Sequence, residues 1–295
     1  MKKSFLVVFA MALTSCVCAQ SRDITKYDPN MAIENAIVTN GVKWIDGKYL
    51  PIEGKAFTDV DHFYDRLPKN VTTNVNAGVR AMKHDTAGMQ ARFSTTSKKL
   101  QIKWVPYDKK LAMNHMPATG VSGVDVYVRK PGKTWRYAKT GRISDAKGSA
   151  VTVDLWGGFN EVIINFPLYN GLKSLKIGID EKATLSALPP RASGVNKPVV
   201  FYGTSITHGG CASRPGLAFV NIIGRDLDVP VVNLGFSGSG KMEYEMSEHV
   251  SAIDASCYVL DPLANVLHVA GELEKRYEKF IRRLHAARPD VPIVL

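Results

Sequence analysis

The chain has 295 residues, of which 45% are hydrophobic and 22% are charged. This composition supplies enough apolar surface for one or two buried cores and excludes a largely disordered chain. The formal net charge is +11, but the basic residues are scattered and form no block with interleaved aromatic residues. The charge therefore does not predict nucleic-acid binding, and a solvated surface or a bias toward acidic polysaccharide is the simpler interpretation.

The first residues have the order of a secretory signal peptide. Lys2 and Lys3 precede an apolar run over residues 5–13, and small residues continue to Ala19. We predict that residues 1–19 are removed and that the protein is exported to the periplasm or beyond. A competing interpretation is a lipid anchor at Cys16, because residues 13–16 resemble a bacterial lipobox. No segment is long and apolar enough to predict a transmembrane helix.

Two of the four cysteines, Cys211 and Cys257, follow the leader. Export would permit a disulfide between them. Cys257 lies in a predicted buried strand, however, so the role of a small apolar core residue is favoured. No Cys/His spacing indicates a zinc site.

Residues 20–187 are predicted to form an N-terminal antiparallel β-sandwich domain. Apolar residues alternate with polar ones in several runs, which is typical of half-buried strands, and turn-forming residues separate the runs. The runs are Leu100–Trp104, Val124–Val128, Val151–Leu155, Val162–Phe166 and Leu175–Ile179.

Residues 188–197 are rich in Pro, Gly and Ser and are predicted to be a linker. Over residues 198–295 apolar runs alternate with helical segments, which indicates a parallel α/β sheet covered on both faces. The predicted strands are Val199–Tyr202, Val231–Leu234, Cys257–Leu260 and Ile293–Leu295, and the predicted helices are Leu217–Leu227 and Gly271–Ala287. Ligands of such sheets bind beyond the carboxyl ends of the strands.

Three loops at these strand ends carry residues suited to nucleophilic catalysis. Ser205 follows the first strand, and its own N–H could stabilise an oxyanion. Gly238 allows a backbone N–H to approach a ligand closely, and the Asn265 amide offers a further donor. The alternative for Ser205 alone is a cap at the start of the next helix.

These blocks resemble the SGNH or GDSL hydrolases, and more narrowly exported two-domain members from gut Bacteroidetes with an N-terminal β-sandwich. The serine block is VVFYGTSITHGG, the glycine block is Asn233–Gly238 and the asparagine block is Asp261–Asn265. The resemblance implies a flavodoxin-like α/β domain and an ester hydrolase that uses no metal or organic cofactor. It also implies Ser205 as the nucleophile and Gly238 and Asn265 as oxyanion donors. Thr204 and Leu263 depart from the family pattern.

The family's general base is a histidine in an Asp-x-x-His segment after the last strand. No residue here matches that segment, and the resemblance implies an α/β domain incomplete at its C-terminus, with the base beyond Leu295. His208 is expected to line the pocket, since a residue so near Ser205 in sequence rarely turns back onto the hydroxyl. His249, His268 and His285 are expected at the surface or at helix ends.

Two other functions remain open. Residues Gly235–Lys241 read G-x-x-x-x-G-K, but Met242 replaces the Ser or Thr of a phosphate-binding loop. The second alternative is a secreted carbohydrate-binding protein whose α/β half is inactive.

The substrate implied by the resemblance is an acetyl or similar acyl ester on a small molecule or a glycan. Aromatic residues that could contact a sugar are each more simply explained by packing. They are Trp44, Trp104, Trp135 and Trp156. The sequence does not predict an oligomeric state.

Overall fold

The computed structural model describes residues 36–71, 74–267 and 271–295. The predicted signal peptide, Cys16 and His268 lie outside these residues. Within the described ranges, no helix has the length and apolar character needed to cross a membrane.

The N-terminal half is built almost entirely from antiparallel strands. In chain order they are β1 (Ile37–Thr39), β2 (Val42–Asp46), β3 (Ile52–Glu53), β4 (Gln90–Thr95), β5 (Lys99–Pro106), β6 (Val124–Arg129), β7 (Arg136–Gly141), β8 (Ser149–Asp154), β9 (Asn160–Asn165), β10 (Leu172–Asp180) and β11 (Leu185–Ser186). One sheet has the order β1-β2-β10-β5-β8, and the other has the order β11-β4-β9-β6-β7 with β3 beside β4.

The two sheets enclose one apolar core. In β5, Leu100, Ile102 and Trp104 are buried, and the residues between them are more exposed. They pack in the same cluster as Phe93 and Ile164 of the other sheet. The alternation seen in the sequence thus places one face of each sheet inward. The predicted antiparallel architecture is confirmed, although the sequence runs did not reveal β1, β2, β3, β4, β7 or β11.

A long connection between β3 and β4 leaves the sandwich and packs against the C-terminal half. It contains the short helix α1 (Ala77–Ala81), which Asn76 caps by accepting a hydrogen bond from the N–H of Val79 at 2.9 Å. Leu67 and Val79 are fully buried in the core of the C-terminal half. The two halves therefore share buried surface rather than only a linker.

The C-terminal half is a parallel sheet with helices on both faces. Its strands are β12 (Val199–Gly203), β13 (Val231–Gly235), β14 (Cys257–Asp261) and β15 (Ile293–Val294), in the order β13-β12-β14-β15. The helices, after α2 (Ala118–Val121) in the N-terminal half, are α3 (Ser205–His208), α4 (Phe219–Asp226), α5 (Tyr244–Ala252), α6 (Leu263–Val266) and α7 (Leu273–Ala287). This is the doubly wound order, as predicted.

The strand residues alternate between two apolar layers. Tyr202 of β12 faces a cluster with Met246 of α5 and Phe280 of α7. Phe201, its neighbour, faces the other side and packs with Val220 of α4. A sheet buried on both faces explains why these strands are continuous apolar runs in the sequence.

Local geometry differs from the sequence prediction at two helices. The predicted helix over 217–227 is divided, because Ala218 is extended between a 3₁₀ turn at Pro215–Leu217 and α4. Helix α5 was not predicted. Cys211 and Cys257 are both free thiols, so the alternative of a disulfide is not realised.

Charged residues join β3, β4 and the segment that connects β11 to β12. Arg191 of that segment pairs with Glu53 of β3 and donates to Asp228 at 2.9 Å. Arg92 of β4 also lies within 3.4 Å of Glu53 and 3.5 Å of Asp228. Only 7% of each arginine side chain is exposed.

Candidate active site

The carboxyl ends of three adjacent strands meet at one edge of the parallel sheet. Gly203, the last residue of β12, is in register with Gly235 of β13 and with Asp261 of β14. The loops that follow carry Ser205, Gly238 and Asn265. The crevice between β12 and β14 is where the strand order reverses, which is the usual ligand position in this architecture.

Ser205 is the first residue of α3, but it does not cap the helix. The cap is Thr204, whose hydroxyl accepts a hydrogen bond from the N–H of Ile206 at 3.2 Å. Within the described residues, neither the hydroxyl nor the N–H of Ser205 has a hydrogen-bond partner. Both groups are therefore available to a ligand.

The loop after β13 is held tightly against the end of β12. Phe236 donates its N–H to the carbonyl of Gly203 at 3.0 Å. A Cβ atom at Gly240 would lie 2.1 Å from the same carbonyl oxygen, so only glycine permits this approach.

Gly238 lies at the open side of that loop. Its φ is +65°, and a Cβ atom there would meet nothing within 4 Å. Its N–H makes no hydrogen bond in the part of the chain that the structure describes. The loop thus presents a second free backbone donor beside open space.

Asn265 lies in α6 with its amide turned toward the glycine loop. Its Nδ2 atom donates to the carbonyl of Gly240 at 3.1 Å and to that of Phe236 at 3.4 Å. These bonds connect the loops that follow β13 and β14. The longer bond is the weaker one and leaves a hydrogen that can be redirected toward a ligand.

His208 is fixed in a buried position at the end of α3. Its Nε2 atom lies 2.7 Å from the carbonyl oxygen of Leu168 and 3.3 Å from Oδ2 of Asp85. Burial lowers the pKa of His208, and the nearby Arg66 guanidinium lowers it further. The ring is fully buried rather than lining an open pocket, so it is poorly placed to act as a base.

The N-terminal half contributes two residues that the sequence did not reveal. Arg66 is fully buried, and its guanidinium donates to the carbonyls of Gly235 at 2.9 Å and Met82 at 2.9 Å. Tyr169 donates its hydroxyl to the carbonyl of Ser205 at 3.1 Å. Burial raises the pKa of Tyr169, which keeps this hydroxyl protonated.

The phosphate-loop alternative receives no support from the geometry. Helix α5 begins at Tyr244, and the N–H of Lys241 faces the carboxylate of Glu243 at 3.3 Å. The N–H groups of Ser239 and Gly240 are already donated to the carbonyl of Phe236. A phosphate-binding loop offers free backbone N–H donors to its anion. In this loop the N–H groups of Ser239 and Gly240 are already used, and the Glu243 carboxylate would repel a bound phosphate.

The remaining histidine and tryptophan predictions have mixed outcomes. His249 and His285 lie in the last turns of α5 and α7, as expected. Trp104 is a core residue, whereas Trp156 is 44% exposed. The expectation of packing is therefore wrong for Trp156.

Comparison with known sequences and structures agrees with this architecture. Residues 196–295 match the sequence model of the GDSL-like lipase/acylhydrolase family. Residues 42–185 match the GxDLY model, which represents the N-terminus of SGNH-hydro-type esterases. No protein with a curated description matches the chain.

Solved structures share the fold over most of the chain. A GDSL-like lipase from Bacteroides ovatus ATCC 8483 is 28% identical, with a TM-score of 0.76 over 85% of this chain and 73% of the other. The salicylyl-acyltransferase SsfX3 from a tetracycline biosynthetic pathway is 18% identical, with a TM-score of 0.69 over 88% and 73%. A family two carbohydrate esterase from Cellvibrio japonicus is 12% identical, with a TM-score of 0.54 over 85% and 77%.

The fold, the three converging loops and the matching models define a carboxylic-ester hydrolase. The chain belongs to the SGNH/GDSL hydrolases, with a GDSL-like lipase/acylhydrolase half preceded by the N-terminal domain of such esterases.

Proposed function

We propose that the chain is an exported esterase that removes acetyl or similar acyl groups from carbohydrate through an acyl-enzyme at Ser205. The observation that supports this proposal best is the division of roles between Thr204 and Ser205. Because Thr204 caps α3, the Ser205 hydroxyl is left without a partner in the described residues at the carboxyl edge of the sheet. A serine that served the helix would be bonded to it.

In the proposed reaction, Oγ of Ser205 attacks the ester carbonyl carbon and loses its proton to a base. The N–H groups of Ser205 and Gly238 and the Nδ2 atom of Asn265 bind the resulting oxyanion. Collapse of the tetrahedral intermediate breaks the bond to the alcohol, which receives the proton, and water then hydrolyses the acyl-enzyme. Preorganised donors of this kind supply a large part of the acceleration.

The proposal does not assign the base to a described residue. His208 is held by Leu168 and Asp85 within the fold. The family resemblance implies a histidine in an Asp-x-x-His segment as the base, and no described residue matches that segment.

The glycan substrate is proposed because this fold is similar to that of a carbohydrate esterase. The carbohydrate esterase from Cellvibrio japonicus shares the architecture, and here the hydrolase half is joined to two antiparallel sheets. Acetylated xylan and small aromatic acetyl and butyryl esters would separate a preference for carbohydrate from a preference for acyl length. Faster turnover of the butyryl ester than of any acetylated substrate would contradict the acetyl assignment.

The decisive experiment compares Ser205→Ala with Ser213→Ala in the full-length protein, using a chromogenic acetyl ester. Ser213 is exposed on the connection after α3, and its side chain makes no hydrogen bond within the described residues. We expect Ser205→Ala to abolish turnover and Ser213→Ala to retain it. Turnover that survives Ser205→Ala would refute the mechanism.

The same variants address the non-catalytic alternative. If the unsubstituted protein lacks esterase activity but binds carbohydrate, the inactive carbohydrate-binding function is favoured. Export is checked separately by mass spectrometry of the mature N-terminus, which should begin at Gln20 or carry lipid at Cys16.

A further inference from the structure

A second group of reactive side chains lies outside the Ser205 site. His62, Asp65 and His84 each direct a ligand-type atom toward the others, and these atoms lie within 4.8 Å of one another. No sequence motif reveals this group, because the spacing between its members is unlike a zinc-binding motif.

The distances within the group suit a bound cation. The Nδ1 atom of His84 is 2.7 Å from Oδ1 of Asp65, and the Nδ1 atom of His62 is 3.6 Å from Oδ2 of Asp65. Nitrogen and oxygen ligands about 2.0–2.2 Å from a tetrahedral zinc ion are separated by about 3.4 Å. The observed distances lie on either side of that value, so small side-chain rotations would complete the site.

The surrounding structure already orients the three side chains. Only 2% of the Asp65 side chain is exposed, and its carboxylate accepts the backbone N–H of His62 at 3.0 Å. The ring of His84 stacks on Tyr107 with centroids 4.5 Å apart. Partners of this type hold metal ligands in place in known sites.

Access and ligand type indicate the class of metal. The His62 side chain is 51% exposed, so water can occupy the remaining coordination positions. Two imidazole nitrogens favour zinc and similar first-row divalent ions over magnesium and calcium, which prefer oxygen ligands.

We propose that His62, Asp65 and His84 form a binding site for one divalent transition-metal ion of the zinc class. Each imidazole would ligate as its neutral form through Nδ1, with the ring proton on Nε2. The ion would connect the backbone around Asp65 to that around His84, which are already joined by the hydrogen bond from Arg66 N–H to the Lys83 carbonyl at 2.8 Å.

The site would reinforce the support of the Ser205 helix. The residues that follow Asp65 and His84 are Arg66 and Asp85, and both lie against His208 at the end of α3. A bound ion would therefore hold the two backbone segments that pack behind the helix. This role is structural and does not depend on the esterase mechanism.

The test is titration of tag-free protein with Zn²⁺ by calorimetry, repeated with Co²⁺ followed by its visible absorption. The protein should carry Cys211→Ser, because Cys211 is an exposed free thiol that could bind zinc by itself. We expect one ion per chain and a rise in the melting temperature on binding.

His62→Ala is the deciding variant, because this exposed side chain can be removed without opening the core. Affinity should fall at least about tenfold in His62→Ala and also in His84→Ala. His115→Ala is the matched control, since His115 is exposed and, among the residues that the structure describes, bonds only to Asn114. This variant should bind the ion as tightly as the parent. Absence of saturable binding at micromolar Zn²⁺, or binding that persists in a folded His62→Ala variant, would overturn the proposal.

Discussion

Tyr169 and His208 stack face to face, with ring centroids 4.0 Å apart and an angle of 12° between the planes. Tyr169 precedes β10 of the N-terminal sheets, whereas His208 ends the helix that begins at Ser205. The Tyr169 hydroxyl also bonds to the carbonyl of Ser205. The N-terminal half therefore forms a wall of the proposed active site and fixes the position of α3.

The first prediction concerns the Tyr169 hydroxyl. Tyr169→Phe removes the hydrogen bond to the Ser205 carbonyl but keeps the stacked ring, so kcat for an acetyl ester should fall about fivefold, given a bond worth about 1 kcal/mol. Tyr169→Ala removes the ring as well and should cause a larger loss. Steady-state kinetics measure both variants, and equal losses would contradict a role for the hydroxyl.

The second prediction concerns the Asn265 donor. Asn265→Ala should lower kcat about 100- to 1,000-fold, as expected for the loss of an oxyanion donor. Melting should show a stability loss of only about 1 kcal/mol, from the bonds to the glycine loop. Leu263→Ala, at an exposed position of the same helix, is the control and should keep kcat. A near-normal rate in Asn265→Ala would count against the proposed site.

The third prediction concerns the buried Arg66. Arg66→Met preserves much of the volume but leaves the carbonyls of Met82, Asn233 and Gly235 without this donor. Because removal of a buried charged partner is strongly destabilising, the free energy of unfolding should fall by about 3–5 kcal/mol.

The control for Arg66 is Lys69→Met in the same connection. Lys69 pairs with Asp59 in solvent, with 57% of its side chain exposed, so its loss should leave the unfolding free energy nearly unchanged. Urea denaturation compares the two variants. If Arg66→Met and Lys69→Met had similar unfolding free energies, Arg66 would not anchor the two halves.

The fourth prediction concerns pH. Asp125 is buried where the second sheet meets α4, and it accepts hydrogen bonds from Asn165 and from the N–H of Gly216. Burial raises the pKa of Asp125 from 3.8 to about 6. Between pH 3.8 and about pH 6 the folded protein keeps a proton on Asp125 that the unfolded chain has released. This proton binding stabilises the folded protein, and the stabilisation is lost as the pH rises through that range.

The Asp125→Asn variant has no titratable group at this position. Comparison with the parent therefore isolates the pH dependence of stability that is due to Asp125. The unfolding free energy of the parent minus that of the variant should decrease by about 2 kcal/mol between pH 4 and pH 7. Urea denaturation at several pH values measures this difference. A difference independent of pH would show that Asp125 keeps an ordinary pKa in the folded protein.

The fold class could be predicted because its signals are local. Alternation in β5 and the apolar runs of β12 and β13 reflect burial of one or both faces of a sheet. Helix α5 was not predicted because its buried face combines Met246 and Val250 with Ser247 and Ser251. Serines on a buried face weaken the apolar periodicity on which helix prediction depends.

The candidate site could be predicted only in part, for a different reason. Ser205, Gly238 and Asn265 each follow a recognisable strand, so topology alone brings their loops to one edge. Thr204 and Ser205 are both capping types, and only the backbone geometry shows which of them caps α3. Tyr169 and Arg66 reach the site from the other half of the chain, and no local pattern encodes such contacts.

The ion pairs of Arg191 have a consequence for the relative motion of the two halves. This residue belongs to the segment between them, and its guanidinium is paired with Glu53 of the N-terminal half and with Asp228 of the C-terminal half. Because separation of the halves would leave this poorly exposed charge without partners, we expect the segment to act as a clamp rather than as a hinge.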